Sequence, residues 1–389
     1  MTHEPPRGTR PPVSVPHCPH RPPCPGCPRF GEPGIAASAQ RALDAFAAEH
    51  QLPPVAIVSG ATYGFRMRAR LAIRGRMDSP KLGLFEFGSH RLVHIPDCRV
   101  HHPLINRVAD VVRRALIAGR VPSYSEQAHL GLARYLQVVV ERRSMTAQVV
   151  LVGNHASIEP FMACFEQIRQ ELGPDLHSLW FNSNTERTNT ILGAEFQRIV
   201  GPESVVEHFG GPEIHYPPGA FGQNNLEIAE RIVEYVRTQV GAPANIMEFY
   251  AGVGAIGLSL LASARDLRLN ELSPHSLAGL QFGISRLGPA DRAKVSVIAG
   301  LAGEACSQAR GADVVIADPP RKGLDAALRE YLAAHPPERF IYVSCGFESF
   351  IADASHLLAR GTLKLASLKA FNLLPYTEHV ETVACFERA

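Results

Sequence analysis

The chain has 389 residues, with 39 Lys or Arg against 37 Asp or Glu, so its formal net charge is +2. Hydrophobic residues make up 46% and charged residues 20%, the composition of a folded chain long enough for two or three domains. That balance excludes a uniformly basic nucleic-acid binder while leaving local patches open. The longest uncharged run considered as a span, residues 249–264, has 16 residues and carries three glycines, too short and too interrupted to cross a bilayer. The Pro-rich N-terminus lacks an apolar signal core, so a cytoplasmic location is expected.

Residues 1–34 hold 11 of the 31 prolines and can form neither a regular helix nor an inner strand. The segment is expected to be disordered to about Pro16, then pinned by something other than a hydrophobic core. Cys18, Cys24 and Cys27 fall close together there, while Cys98, Cys164, Cys306, Cys345 and Cys385 are scattered. Clustered thiols in a cytosolic chain suggest metal ligands or redox groups rather than disulfides. Residues 35–50 read as a short helix. From 55 to about 205 the pattern is β-rich with one or two helices. Residues 65–76 alternate, with Arg66, Arg68, Arg70, Arg74 and Arg76 on one side and Met67, Ala69, Leu71 and Ile73 on the other. Such a stripe of guanidinium groups is spaced to follow a phosphate backbone. Asp78-Ser79-Pro80 predicts a turn into a hairpin partner over 82–87. Helical spacing of Leu104, Ile105, Val108, Val111, Val112 and Leu116 predicts an amphipathic helix over 103–118.

The C-terminal part changes character. Apolar bursts at 246–250, 267–269, 295–298, 314–317 and 340–343 alternate with helical stretches, the signature of a doubly wound parallel α/β sheet. Two further runs, 363–371 and 382–386, have no long helix between them and predict an antiparallel end to that sheet.

Chemistry-bearing residues sit where those strands end. After the first burst comes Glu248-Phe-Tyr250-Ala-Gly252-Val-Gly254-Ala-Ile-Gly257, a turn that lets backbone approach a ligand. Glu271, 19 residues beyond Gly252, can accept from ribose hydroxyls. Alone, this pattern fits a dinucleotide fingerprint, an adenosylmethionine loop or a tight turn with no ligand. Asp318-Pro319-Pro320-Arg321-Lys322-Gly323 then places a carboxylate over the same cleft, an element for which hydride transfer has no evident need. Ser344-Cys345-Gly346 offers a thiolate nucleophile, although a strand-end Cys also serves as a small buried hydrophobe. Glu378-His379-Val380-Glu381 supplies candidate bases.

Together these residues resemble the adenosylmethionine-dependent RNA uridine-5 methyltransferases, from about Cys18 to the C-terminus. Asp318–Gly323, Val343-Ser344-Cys345 and Thr377–Glu381 carry the resemblance, with Phe221-Gly222-Gln223-Asn224-Asn225 and Asn189-Thr190-Ile191-Leu192-Gly193 upstream. The resemblance implies an α/β fold whose C-terminal class I methyltransferase domain, residues 211–389, has a Rossmann-like seven-stranded sheet. It also implies an N-terminal β-rich α+β domain carrying a cysteine-ligated cluster, divided into a Pro-rich segment with the cluster cysteines over 1–50 and an RNA-binding region over 51–210. Cys345 is then the nucleophile that adds to carbon 6 of uracil, and Glu381 the base that removes the carbon-5 proton. Gln223, Tyr250, Gly252, Glu271 and Asp318 match positions at the cofactor S-adenosylmethionine and target base, with Phe221 stacking on the base. Cys18, Cys24, Cys27 and the distant Cys98 match four ligands of a 4Fe–4S cluster, and His17 and His20 keep a zinc site as the alternative.

The chain departs from the family at Gly346-Phe347, where Asn-Pro is common, and at Leu301, where an acid is common. Only 17 residues precede Cys18, so the RNA-binding barrel of many members is expected to be missing. That favours ribosomal RNA as partner over transfer RNA, although both suit the family. No membrane and no obligate protein partner are expected. The rivals are an NAD-dependent oxidoreductase and a catalytically inactive RNA-binding protein.

Overall fold

The computed structural model describes residues 17–389. The expectation for the segment up to Pro16 lies outside the described residues. The chain begins its regular structure with helix α1 (Ala37–Glu49) and a short strand β1 (Ala56–Val58). A β-rich region follows: β2 (Arg68–Arg76), β3 (Ser79–Phe85), β4 (Leu92–His94), α2 (Pro103–Ala118), β5 (Ala133–Glu141), β6 (Thr146–Gly153), α3 (Met162–Leu172), β7 (Leu176–Ser183) and β8 (Glu195–Val200). A small hairpin, β9 (Val205–His208) and β10 (Glu213–Tyr216), leads into α4 (Leu226–Val240). Then come β11 (Ala244–Phe249), β12 (Ala264–Glu271), α5 (Pro274–Ser285), α6 (Pro289–Arg292), β13 (Val295–Ala299) and β14 (Val314–Ala317). The chain ends with α7 (Ala326–Ala334), β15 (Arg339–Ser344), α8 (Phe347–Leu358), β16 (Leu363–Phe371) and β17 (Glu381–Arg388).

Two sheets result. The first runs β4-β3-β2-β5-β6-β7-β8 and is antiparallel apart from β6 beside β7. Helix α2 lies on it, built as its spacing predicts, with Pro103 in its first turn and the His102 side chain accepting from the Leu104 N–H. The second runs β1-β16-β17-β15-β14-β11-β12-β13. Its strands from β13 to β15 are parallel and β17 is antiparallel to both neighbours, as expected for the C-terminal end. It has eight strands rather than the seven expected. The extra one is β1, whose Ala56–Val58 pairs in parallel with Lys369–Phe371 and covers an otherwise open edge. Helix α1, which precedes it in the chain, packs on that sheet, burying Leu43 and Ala47 against Ala370 and Val380. Phe46 packs edge-on against Phe350. Residues 37–58 thus belong structurally with the C-terminal sheet.

The cysteine-bearing segment is held partly by apolar contact, contrary to the expectation from its prolines. The Phe30 ring lies 4.9 Å from Tyr376 and 6.3 Å from Tyr63, and the Arg29 N–H donates to the Tyr376 carbonyl at 3.0 Å. The segment therefore docks on the loop that leads into β17.

The arginine stripe also turns out otherwise. Arg68 is buried, its guanidinium donating to the Ala220 carbonyl at 2.6 Å over the Tyr216 ring. Arg74 is ion-paired with Glu126 among the rings of Phe85, Tyr124 and Tyr135, and Arg76 is paired with Asp78. The face is therefore divided: Arg68 is buried and Arg74 largely so, while Arg70 and Arg76 stay exposed. Among the described residues, no helix is long and apolar enough to cross a membrane.

Candidate active site

The carboxyl ends of β11, β12, β14 and β15 converge with the start of β17 on one edge of the second sheet, the side on which ligands bind in such folds. Beyond β11 the backbone turns left-handed at Tyr250 (φ 60) and Gly252 (φ 58). A Cβ on Gly252 would meet nothing within 4 Å, so the turn has open space before it. Its N–H donates to Glu271 Oε2 at 2.8 Å, and the Ser273 N–H donates to Oε1 at 2.6 Å. Two backbone amides thereby orient the Glu271 carboxylate at the end of β12, with acceptor capacity to spare. The Tyr250 hydroxyl accepts from the Asp325 N–H at 2.9 Å, tying this turn to the segment after β14. Leu272 and Leu301, which follow β12 and β13, are both exposed. An acid at 301 is thus replaced by an apolar surface beside a carboxylate, a pairing suited to a purine nucleoside. Asn270 braces this edge, donating to the carbonyls of Ile298 and Gly300.

The predicted nucleophile and base meet at a corner of the sheet. The β15–β17 ladder ends by pairing Ser344 with Thr382, so Cys345 leaves β15 beside Glu381, the first residue of β17, which pairs with Phe371 on β16. Asp318 follows Ala317, which pairs with Tyr342 on β15. Burial, then the charges of Glu381 and Asp318, push the Cys345 thiol up to about 11, with Arg321 opposing. Burial holds the carboxyl of Asp318 near 7 and that of Glu381 well above its ordinary range, where the charge of Asp318 adds to it. Two buried acids this close behave as a pair and share protons.

Sequence reasoning gave no role to two groups here. Glu248, on β11, is fully buried with one carboxyl oxygen unpartnered, and burial and then the charge of Asp318 raise its pKa well above the usual range. Arg321 faces Cys345, Glu381 and His379 from the Asp-Pro-Pro loop. His379 is lowered by burial, then by Arg321 and Arg66, so Arg66 stands between this corner and the cysteines. Only a folded chain shows such neighbours.

Gln223 lies elsewhere, lining a small cavity with Arg68, Tyr216 and Glu207. Asn225 beside it caps α4 and donates to the Leu373 carbonyl at 3.2 Å, while Phe221 is 66% exposed. Cys18, Cys24, Cys27 and Cys98 line one cavity of about 660 Å³, counted with its open mouth, together with His20, Arg66, Arg70 and Arg99. Burial, then the proximity of Cys98, pushes Cys27 up to about 12. Among the described residues, no three His, Cys, Asp or Glu side chains close to the spacing of a single metal ion.

The family model of the tRNA (uracil-5-)-methyltransferases matches residues 36–389. An uncharacterized RNA methyltransferase of Protochlamydia amoebophila is 36% identical over 335 residues, covering 85% of this chain and 87% of the relative. Another from Nostoc sp. is 30% identical over 353 residues, covering 85% and 73%. Among solved structures, the Pyrococcus abyssi tRNA (uracil-54, C5)-methyltransferase in complex with S-adenosyl-L-homocysteine superposes with a TM-score of 0.74. That match covers 90% of this chain and 83% of that one. At 21% identity this is a likeness of fold.

Proposed function

The chain belongs to the tRNA (uracil-5-)-methyltransferase family and is an S-adenosylmethionine-dependent RNA methyltransferase acting at uracil carbon 5; we propose that it works through a transient bond from Cys345 to carbon 6 of the target uridine. The observation that carries this reading is the placement of Cys345, just past β15, beside Glu381 at the start of β17 and beside Asp318. Carbon 5 of uracil is a poor nucleophile until a thiolate adds at carbon 6 and turns the ring into an enolate. Thiolate formation sends a proton to the Asp318–Glu381 pair and on to water from Asp318, the more open of the two. Arg321 stabilises the thiolate. Carbon 5 then takes a methyl group. Glu381 removes the carbon-5 proton, the carbon–sulfur bond breaks, and Cys345 departs as thiolate.

S-adenosylmethionine supplies an electrophilic methyl group when bound. The open turn at Gly252, the oriented carboxylate of Glu271 and the exposed Leu272 and Leu301 fit an adenosine there, with Tyr250 at its side. Asp318 lies toward the reacting end, and Gln223 is assigned to the cofactor, with the exposed Phe221, two residues before it, assigned to stack on the target base. The target base has to leave its helix to reach so recessed a thiol, so the substrate is a uridine in a loop or a flipped position.

The same proposal extends to the cysteines. Four thiols from two distant segments round one cavity are the ligand set that a 4Fe–4S cluster takes. Anaerobically purified protein should then carry about four irons per chain with matching sulfide. Stoichiometric zinc without sulfide would replace the cluster by a zinc site.

Incubation with RNA and labelled S-adenosylmethionine, followed by nucleoside analysis, should yield 5-methyluridine, and mapping it separates ribosomal from transfer RNA. Cys345→Ala should abolish the product while cofactor binding persists. Glu381→Gln should accumulate an RNA–protein adduct. Wild-type turnover by Cys345→Ala would remove the covalent step.

A further inference from the structure

The segment after β14 carries Asp318 and Arg321, yet it is a loop, and loops do not hold a charge in place by themselves. Its anchoring comes from one face of α8. Asp353, on that helix, is buried at 3% exposure. Its Oδ2 accepts from the Leu324 N–H at 2.8 Å and from the Tyr342 hydroxyl at 2.8 Å, and its Oδ1 accepts from Arg329 Nη1 at 3.0 Å. One carboxylate therefore joins the end of the loop, the strand that delivers Cys345, and helix α7. Gly323 makes the approach possible: its φ is 86, and a Cβ there would lie 2.4 Å from Asp353 Oδ2.

One helical turn earlier on the same face stands Ser349, as the i, i+4 spacing requires. Its Oγ lies 2.9 Å from the carbonyl oxygens of both Arg321 and Gly346, and its single proton can serve either. A Cβ on Gly346 would come to 2.6 Å from the Arg321 carbonyl oxygen. The loop and the Cys345 turn are thus in direct contact, and glycine at 346, a departure from the family pattern, is what this contact needs.

We propose that Asp353 and Ser349 are positioning residues that lock the Asp318–Arg321 loop against the Cys345 turn, so that Arg321 and Asp318 face the thiol before substrate arrives. The proposal rests on Cys345 acting as the nucleophile. Neither residue touches the reacting atoms, and each works through the loop's backbone. Asp353→Asn keeps the size but removes the charge that gathers three donors. It should lower kcat about tenfold or more, because a misplaced cation and acid no longer meet the thiolate as it forms. The KM for RNA should stay within twofold, since Asp353 and Ser349 act on the loop's backbone and touch no RNA-facing side chain named above. Ser349→Ala, a smaller change on the same face, should lower kcat a few-fold in the same pattern, and it keeps the test open where Asp353→Asn folds poorly.

Formation of the covalent adduct on RNA carrying 5-fluorouridine, measured in single turnover on folded protein, reads the positioning directly. Slowed adduct formation at unchanged KM supports the lock. Wild-type adduct rates in both variants, with Cys345→Ala inactive, overturn it, as does a loss of rate only in proportion to the unfolded fraction. Full activity of Cys345→Ala would instead overturn the underlying reading of the site.

Discussion

Asp318 holds a proton to about 7, against an ordinary 3.8, because burial disfavours its charged form. Below about 3.8 the folded and unfolded states both carry that proton, and between 3.8 and about 7 only the folded state does. Its contribution to stability is therefore complete in acid and is lost as pH rises through that window. Asp318→Asn should abolish this part of the slope and stand above wild type at neutral pH by on the order of 1–3 kcal/mol. Thermal melts from pH 4 to 8 check it, and a variant as steep as wild type would assign the slope to Glu381 and Glu248. At this scale Cys345, Glu381 and Asp318 could be named from their motifs, because each follows or precedes a recognisable apolar run. Glu248, Arg321 and Asp353 could not be given roles. Their importance lies in burial and in neighbours more than a turn away, which residue type does not encode.

Strand β2 shows the same division one level up. The alternation of residues 65–76 correctly separated two faces, since a strand's period of two is set by its own backbone. It could not say what covers each face. Arg68 and Arg70 occupy the same nominal stripe, yet Arg68 is buried against Ala220 and Tyr216 while Arg70 is exposed and donates to Gln137 at 2.8 Å. Arg68→Ala should cost about 1–3 kcal/mol by stranding the Ala220 carbonyl, seen as a lower urea midpoint. Arg70→Ala should leave that midpoint alone, weaken RNA binding and reduce the salt slope of the affinity. Equal midpoints for the two variants would show that burial of Arg68 does not matter to the fold. Helix α2, by contrast, appears where its spacing put it, because its apolar residues, capping His102 and first-turn Pro103 are all local signals.

Over the whole molecule, residues far apart in the chain complete one sheet. A fragment of residues 211–389 would lack α1 and β1, leaving Lys369–Phe371 as an open edge and baring the surface around Ala370, Val380 and Phe350. It should associate or melt well below the full chain, and a peptide of residues 17–60 added in trans should restore a higher midpoint. Size-exclusion chromatography and melting curves decide this, and a monomeric fragment as stable as the full chain would make β1 dispensable. Read alone, the sequence determined the strands of the C-terminal sheet, its antiparallel end, helix α2, and the motifs at the ends of those strands. Those depend on periodicity and turn residues acting over a few neighbours. Only the tertiary structure decided that β1 is the eighth strand, that Phe30 docks the cysteine segment on the approach to Glu381, and that α8 reaches the Asp318 loop. Each of these joins segments whose complementarity exists only once the backbone has folded, since pairing an open edge, filling an apolar gap and satisfying a buried carboxylate are requirements of the assembled surface.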